Sequence, residues 1–242
     1  RVHALSRPLL LSLRNTFRRK GRLSLTLTTL TLAGLIFMAV ITERTSLYAT
    51  MDEVYAQLNI DVFISMSRPY RTAVLDQVAR VPGVADVEYW NGYSARVVGA
   101  DGRESTTTYA ITAVPADGDA LRVTVDEGRW LLPDDHGAVV LTNGYTADYP
   151  DARVGDTLRL NVGGKELDLT VVGISRAPFA LAALYTNLPT FSRQMGDSGR
   201  ATEIRLITER RDPALQGQVA AQAEALLKAN GLEVGFTRTL SV

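Results

Sequence analysis

The stretch LSLTLTTLTLAGLIFMAVIT, Leu23 to Thr42, contains no charged residue. About 20 residues at ~1.5 Å rise cover roughly the ~30 Å hydrocarbon core of a bilayer, so the stretch predicts a membrane-crossing helix. Its second half, from Leu32 to Ile41, is strongly apolar. Its first half is diluted by Ser24, Thr26, Thr28, Thr29 and Thr31. Those hydroxyls can bond back to helix carbonyls and so are tolerable in lipid. Ser24/Thr28 and Thr29/Ala33 also have the small-xxx-small spacing that lets two helix backbones approach. A buried core helix rarely runs this long without a charge. A cleaved signal peptide would need a small-residue site, which Ile41-Thr42-Glu43-Arg44 does not supply.

The flanks orient the span. Arg14, Arg18, Arg19, Lys20 and Arg22 precede it, whereas Glu43 and Arg44 nearly cancel after it. The positive-inside rule then puts the N-terminus in the cytoplasm and everything after Thr42 outside, with the basic cluster at the lipid interface. Within residues 1–22, Leu9, Leu10, Leu13 and Phe17 share one face at helical spacing, as in an amphipathic helix lying among headgroups; a disordered basic tail is the alternative. Beyond the span of residues 23–42, Leu47, Met51, Val54 and Leu58 recur at i, i+4, i+7 and i+11 without glycine or proline. This predicts a stalk over 43–58, continuous with the membrane helix, whose apolar face packs on a neighbour.

The rest, residues 59–242, reads as an exported α+β domain. The chain has 242 residues, 46% of them hydrophobic, enough for an apolar core. Its formal net charge of zero gives no sign of a nucleic-acid partner. The absence of cysteine excludes disulfides, thiolate catalysis and cysteine metal sites. Ile60–Met66 reads as a strand, Arg71–Val81 as a helix closed by Pro82-Gly83, and Val84–Tyr93 as a strand. The order recurs in Thr202–Thr208, a helix opened by Asp212-Pro213 and closed by Asn230-Gly231, and Leu232–Thr237. Two strand–helix–strand units over 59–115 and 177–242 suggest a split, ferredoxin-like (porter-type) βαβ sandwich. Between them, 116–176 reads as a β-rich insert: Leu121, Val123 and Val125 alternate, and Leu158-x-Leu160-x-Val162 faces Leu167-x-Leu169-x-Val171 across Gly163-Gly164, a two-residue hairpin.

Little in the chain points to catalysis. Gly163-Gly164-Lys165-Glu166 lacks the spacing and the Ser/Thr of a phosphate loop, and no G-x-S-x-G occurs. His3 and His136 are the only histidines; Asp134-Asp135-His136 reads as an exposed loop, since no second ligand cluster accompanies it. We therefore expect no enzyme activity, metal or cofactor. Trp90 and Tyr93, beside Tyr89, are candidate partner contacts or core aromatics. Phe179 and Leu181, in Pro178–Leu184, are candidates for a contact loop or a buried strand.

Four motifs carry a family resemblance. Leu13-Arg14-Asn15 followed by Arg18-Arg19-Lys20-Gly21-Arg22 resembles the basic lead-in to the first membrane helix of FtsX/MacB-like ABC transporter permeases. Val81-Pro82-Gly83-Val84 is similar to the turn after the first helix of their periplasmic core domain. Glu127-Gly128-Arg129-Trp130 resembles the segment before its middle subdomain. Val154-Gly155-Asp156-Thr157, with Val171-Val172-Gly173-Ile174, matches a further pair. The resemblance implies a non-catalytic permease subunit of the bacterial inner membrane, working with a cytoplasmic ABC ATPase and a second permease unit, as a homodimer or a fused repeat. It further implies that ATP-driven motion travels through the first helix to the exported domain, for export, lipoprotein or lipid handling, or mechanotransmission. Because the family carries more membrane helices, the chain reads as a piece of a longer permease. An FtsX-like regulator that binds and activates a cell-wall hydrolase, or a bitopic ligand sensor, are the alternatives.

Overall fold

The computed structural model describes residues 20–57, 59–176 and 183–240, with 47–57 and 183 described by backbone alone. The chain divides into two compact units, Arg1–Met51 and Asp52–Val242. One helix, α1 (Lys20–Gln57), runs for 38 residues. Its segment Lys20–Ser46 is long and apolar enough to cross a membrane, and among the described residues none buries its most apolar stretch. Leu25, Leu30 and Phe37 are each about two-thirds exposed, a surface that only lipid or another protein would cover. The hydroxyls of Thr26, Thr29 and Thr45 donate to the carbonyls of Arg22, Thr26 and Ile41 at 2.9 Å, which removes them as free polar groups on that surface.

After α1 the chain is α+β. Strand β1 (Val62–Arg71) leads through a short α2 (Thr72–Leu75) and a 3₁₀ turn (Asp76–Arg80) into β2 (Val84–Val98). The single helix expected over Arg71–Val81 is thus broken in two. Leu75, Val78 and Val81 reach the core, and their spacing of three suits 3₁₀ turns; Pro82 disfavours the α conformation at Val81. Near the end of the chain, β9 (Arg200–Thr208), α5 (Pro213–Ala229) and β10 (Val234–Thr239) form the second such unit. The Asp212 side chain caps α5 by accepting from the Ala214 N–H, and Pro213 opens it. The four strands interleave, all antiparallel, in the order β10–β1–β9–β2. Val62, Ile64, Ile204 and Leu206 turn one face of this sheet onto Leu75, Val78, Val219, Ala223 and Leu227.

The middle of the chain adds β3 (Glu104–Val114), β4 (Thr124–Gly128), β5 (Ala138–Thr142), α3 (Asn143–Asp148), β6 (Thr157–Val162), β7 (Lys165–Arg176), β8 (Ala183–Asn187) and α4 (Leu188–Met195). Strand β2 is 15 residues long; its first half pairs with β9 and its second half with β3 and β6. Because β6 pairs with both β7 and β2, the ladder β2–β3–β8–β5–β7–β6 returns on itself. Inside it lie Tyr109, Ile111, Leu141, Tyr145, Leu160, Leu169, Leu184 and Phe191. Gly163 and Gly164, at φ of 58° and 85°, form the β6–β7 turn that only residues tolerant of positive φ can make. Ala95 to Ala113 and Leu184 to Phe191 pack into this second cluster, so the join between the two cores falls near Asn91 and Arg200, outside the 116–176 limits read from the sequence.

Candidate functional site

Three residues beyond α1 are held by every layer around them. The Asn59 N–H donates to the Ala120 carbonyl at 2.9 Å, and the Asn59 side-chain oxygen accepts from Arg211 Nη2 at 2.5 Å. Ile60 is 4% exposed and shares a cluster with Trp90, Ala120, Leu131 and Val140. Asp61 is 3% exposed. Its Oδ2 accepts from the backbone N–H of Thr208 (2.7 Å) and from the Thr208 hydroxyl (2.8 Å); its Oδ1 accepts from Gln216 Nε2 (2.8 Å). The Asp61 N–H donates to Leu206, and its carbonyl accepts from the Leu240 N–H, both at 2.9 Å. Asp61 thus ties the start of β1 to the end of β9 and the first turn of α5 through its buried carboxylate, and to the residue that follows β10 through its backbone carbonyl. Charge-assisted bonds of this kind are short and geometrically exacting. The Arg211 guanidinium, 3.8 Å away and 63% exposed, adds little through water-screened attraction.

A second polar node backs this clamp on the opposite face of the sheet. Arg205 is sandwiched between the rings of Phe63 (3.9 Å) and Trp90 (4.4 Å), and its Nη2 donates to Glu203 at 2.5 Å. Burial holds the guanidinium pKa down, and Glu203 opposes that shift. Trp90 is 3% exposed; its Nε1 donates to Glu88, whose other oxygen accepts from the Ala120 N–H. Ala120 therefore touches both nodes, through Asn59 and through Glu88.

The sequence motifs map onto backbone geometry rather than chemistry. Gly128 and Gly173 lie opposite each other on β4 and β7. A Cβ on Gly128 would sit 2.3 Å from the Val172 carbonyl oxygen, and one on Gly173 2.2 Å from that of Arg129. Neither backbone oxygen can move aside, so both motifs need glycine. Gly83, at φ of 92°, turns beneath α5, where a Cβ would meet Leu215 at 2.8 Å.

The profile of the MacB-like periplasmic core domain matches residues 23–226. The chain belongs to the MacB-like periplasmic core domain family. The extracellular domain of the noncanonic ABC-type transporter YknZ from Gram-positive bacteria has a similar fold: TM-score 0.52 at 15% identity, over 74% of this chain and 98% of that one. So does the periplasmic region of MacB from Actinobacillus actinomycetemcomitans, with TM-score 0.53 at 15% identity, over 75% and 91%. No curated protein matches the chain. The MacB-like family is a component of transporter permeases, and its members are generally non-catalytic.

Within this MacB-like frame, the residues singled out from sequence are scattered. Lys20 and Arg22 lie in the first turn of α1. Arg14, Arg18 and Arg19, together with Leu58, Phe179 and Leu181, lie outside the described residues. Leu47, Met51 and Val54 are on the helical backbone of α1. Trp90 is packed in the node above. The Tyr93 hydroxyl donates to Asp197 at 3.3 Å, its ring meets Phe191 edge-on at 5.2 Å, and burial pushes its pKa up to about 12. Asp135 is bound by both terminal nitrogens of Arg129 (2.7 and 2.8 Å) and by the Leu132 N–H. Among the described residues no group of three histidines and carboxylates is placed to hold a metal. The sequence reading missed Asp61, Thr208, Gln216 and Arg205. Its one available signal was a carboxylate set in the apolar run Ile60-Asp61-Val62 directly after the long helix.

Proposed function

We propose that this chain is a membrane-borne part of an ABC transporter permease in which α1 acts as a lever on the exported domain. The observation that carries the reading is the Asp61 clamp. Motion reaching the end of α1 meets residues fixed to β9, α5 and the chain after β10, so it would move the interleaved sheet as a body instead of being lost in a loose linker. In this reading Lys20 and Arg22, with Arg14, Arg18 and Arg19, sit at the cytoplasmic face of the bacterial inner membrane against lipid. The stalk positions Leu47, Met51, Val54 and Leu58 pack on a neighbour. The four interleaved strands form the ferredoxin-like half of a split domain. The work is supplied by a cytoplasmic ABC ATPase, and a second permease unit completes the assembly for export, lipid or lipoprotein handling, or mechanotransmission.

The test is purification of the full-length protein from its own membranes in mild detergent. The reading requires an ABC ATPase to co-purify in stoichiometric amount, with its ATP hydrolysis altered by Asp61→Ala. Purification without any ATPase would contradict it.

A further inference from the structure

The main chain passes between the first and second cores twice. Strand β2 leaves the first core after Tyr89 and joins the second at Tyr93, and residues 196–199 return from α4 to β9. The two passages lie side by side: Trp90 pairs with Glu203, and the Gly92 N–H donates to the Thr202 hydroxyl at 3.1 Å. Each carries glycine, Gly92 in the first and Gly196 and Gly199, at φ of 85° and 68°, in the second. Adjacent passages of this kind form a hinge, because two packed bodies can swing about them through changes at a few permissive backbone angles.

Asn91 sits at the centre of that hinge and is 1% exposed. Its Nδ2 donates to the Ser192 hydroxyl of α4 (3.1 Å) and to the Arg200 carbonyl of β9 (3.0 Å), and its Oδ1 accepts from the Thr202 N–H (2.8 Å). The amide thus spends both hydrogens and its oxygen on tying β2 to α4 and β9. The Asp197 N–H donates to the Ser192 carbonyl at 2.8 Å, and the Tyr93 hydroxyl donates to the Asp197 carboxylate at 3.3 Å, which binds the second passage to the first once more. Neighbouring strand residues face opposite ways, so Trp90 takes the other side of β2. There it shares a cluster with Ala138 and Val140 of β5, while Glu88 accepts from the Ala120 N–H at 2.7 Å. Bending toward either face therefore breaks packed or hydrogen-bonded contacts.

We propose that Asn91 is a latch that holds this hinge shut, so that the two cores of the exported domain move as one body. Opening the hinge strands the Arg200 carbonyl and the Thr202 N–H, both backbone groups away from water, and that penalty favours the closed form. The latch is independent of the lever reading, and its test needs no ATPase, so either can fail alone.

The chain has no cysteine, so nitroxide labels can be placed in pairs without background. Gln222→Cys on α5 with Thr170→Cys on β7 spans the two cores; Gln222→Cys with Arg80→Cys stays within the first. All three positions are exposed. Distances are read by double electron–electron resonance on the full chain in neutral maltoside detergent, diluted with unlabelled chain. We expect the cross-core distribution of the parent to be as narrow as the within-core one. Asn91→Ala should broaden the cross-core distribution about twofold and leave the within-core one unchanged. A parent whose cross-core distribution is already the broader, an unchanged cross-core width in Asn91→Ala, or equal broadening of both pairs, which marks a general loss of folding, would each overturn the proposal.

Discussion

Replacing Asp61 by alanine tests the clamp in isolation. The carboxylate accepts three hydrogen bonds, from the Thr208 N–H, the Thr208 hydroxyl and Gln216 Nε2. The hydroxyl has a substitute, since the Arg210 carbonyl is 2.8 Å away. Two buried donors are then left without partners. At about 1–3 kcal/mol each, the loss is about 2–6 kcal/mol, centred near the cost of breaking a buried ionic contact. The Arg211 pair is left out of this sum because its guanidinium is mostly in solvent. A loss of about 4 kcal/mol would lower the melting temperature of a domain this size by about 8–16 °C. Asp61→Asn should cost much less. Its carbonyl still accepts one bond, and the Gln216 side-chain oxygen, buried without a partner, can take the new amide hydrogen once Gln216 turns over. Thermal melts of the full chain followed by tryptophan fluorescence report on the domain, because both tryptophans, Trp90 and Trp130, lie within it. A shift below about 3 °C for the alanine variant, or an asparagine variant worse than alanine, would refute the reasoning.

Further outcomes follow from the same geometry. Gly128→Ala and Gly173→Ala should each cost more than about 3 kcal/mol, because the added Cβ meets a backbone oxygen; a melting temperature within about 3 °C of the parent would contradict the close approach of β4 and β7. Trp90→Phe should cost about 1–3 kcal/mol by stripping the Nε1 donor from buried Glu88, and a neutral result in urea denaturation would remove Glu88 from the account. Arg129 holds the Asp135 carboxyl below its ordinary 3.8, so this pair stabilises the fold above that pH and the benefit is lost as pH falls through the lowered value. Arg129→Gln should therefore melt earlier than the parent at pH 7, by no more than about 1 kcal/mol for so exposed an arginine, and the gap should close as the Asp135 carboxyl is protonated in acid; a gap that persists once it is protonated would rule out the pair as its source.

Local chemistry made some of this architecture readable in advance. The charge-free run to Thr42 gave α1, Gly163-Gly164 gave the β6–β7 hairpin, and Asp212-Pro213 with Asn230-Gly231 bounded α5. Two features were beyond such reading. Strand β2 continues unbroken through both cores, so no turn residue marks where one ends and the other begins. The Asp61 clamp joins residues 147 and 155 positions apart, and nothing near Thr208 or Gln216 in sequence announces a partner so distant. The aromatic group at Trp90 was ambiguous for the same reason: the residues that decide its burial, Arg205 and Ala120, arrive from other parts of the chain.

The central claim is that motion travels along α1 into the domain through residues 59–61. Fluorine-labelled tryptophan at Trp90, which shares a cluster with Ile60, gives a direct readout by ¹⁹F NMR in the full complex with its ATPase. The account predicts that trapping the ATPase in its ATP-bound state shifts the Trp90 signal. A flexible Gly-Ser pair inserted after Thr45, within α1, should abolish that shift while ATP hydrolysis continues. A Trp90 signal that still responds to ATP with the insertion in place would contradict it.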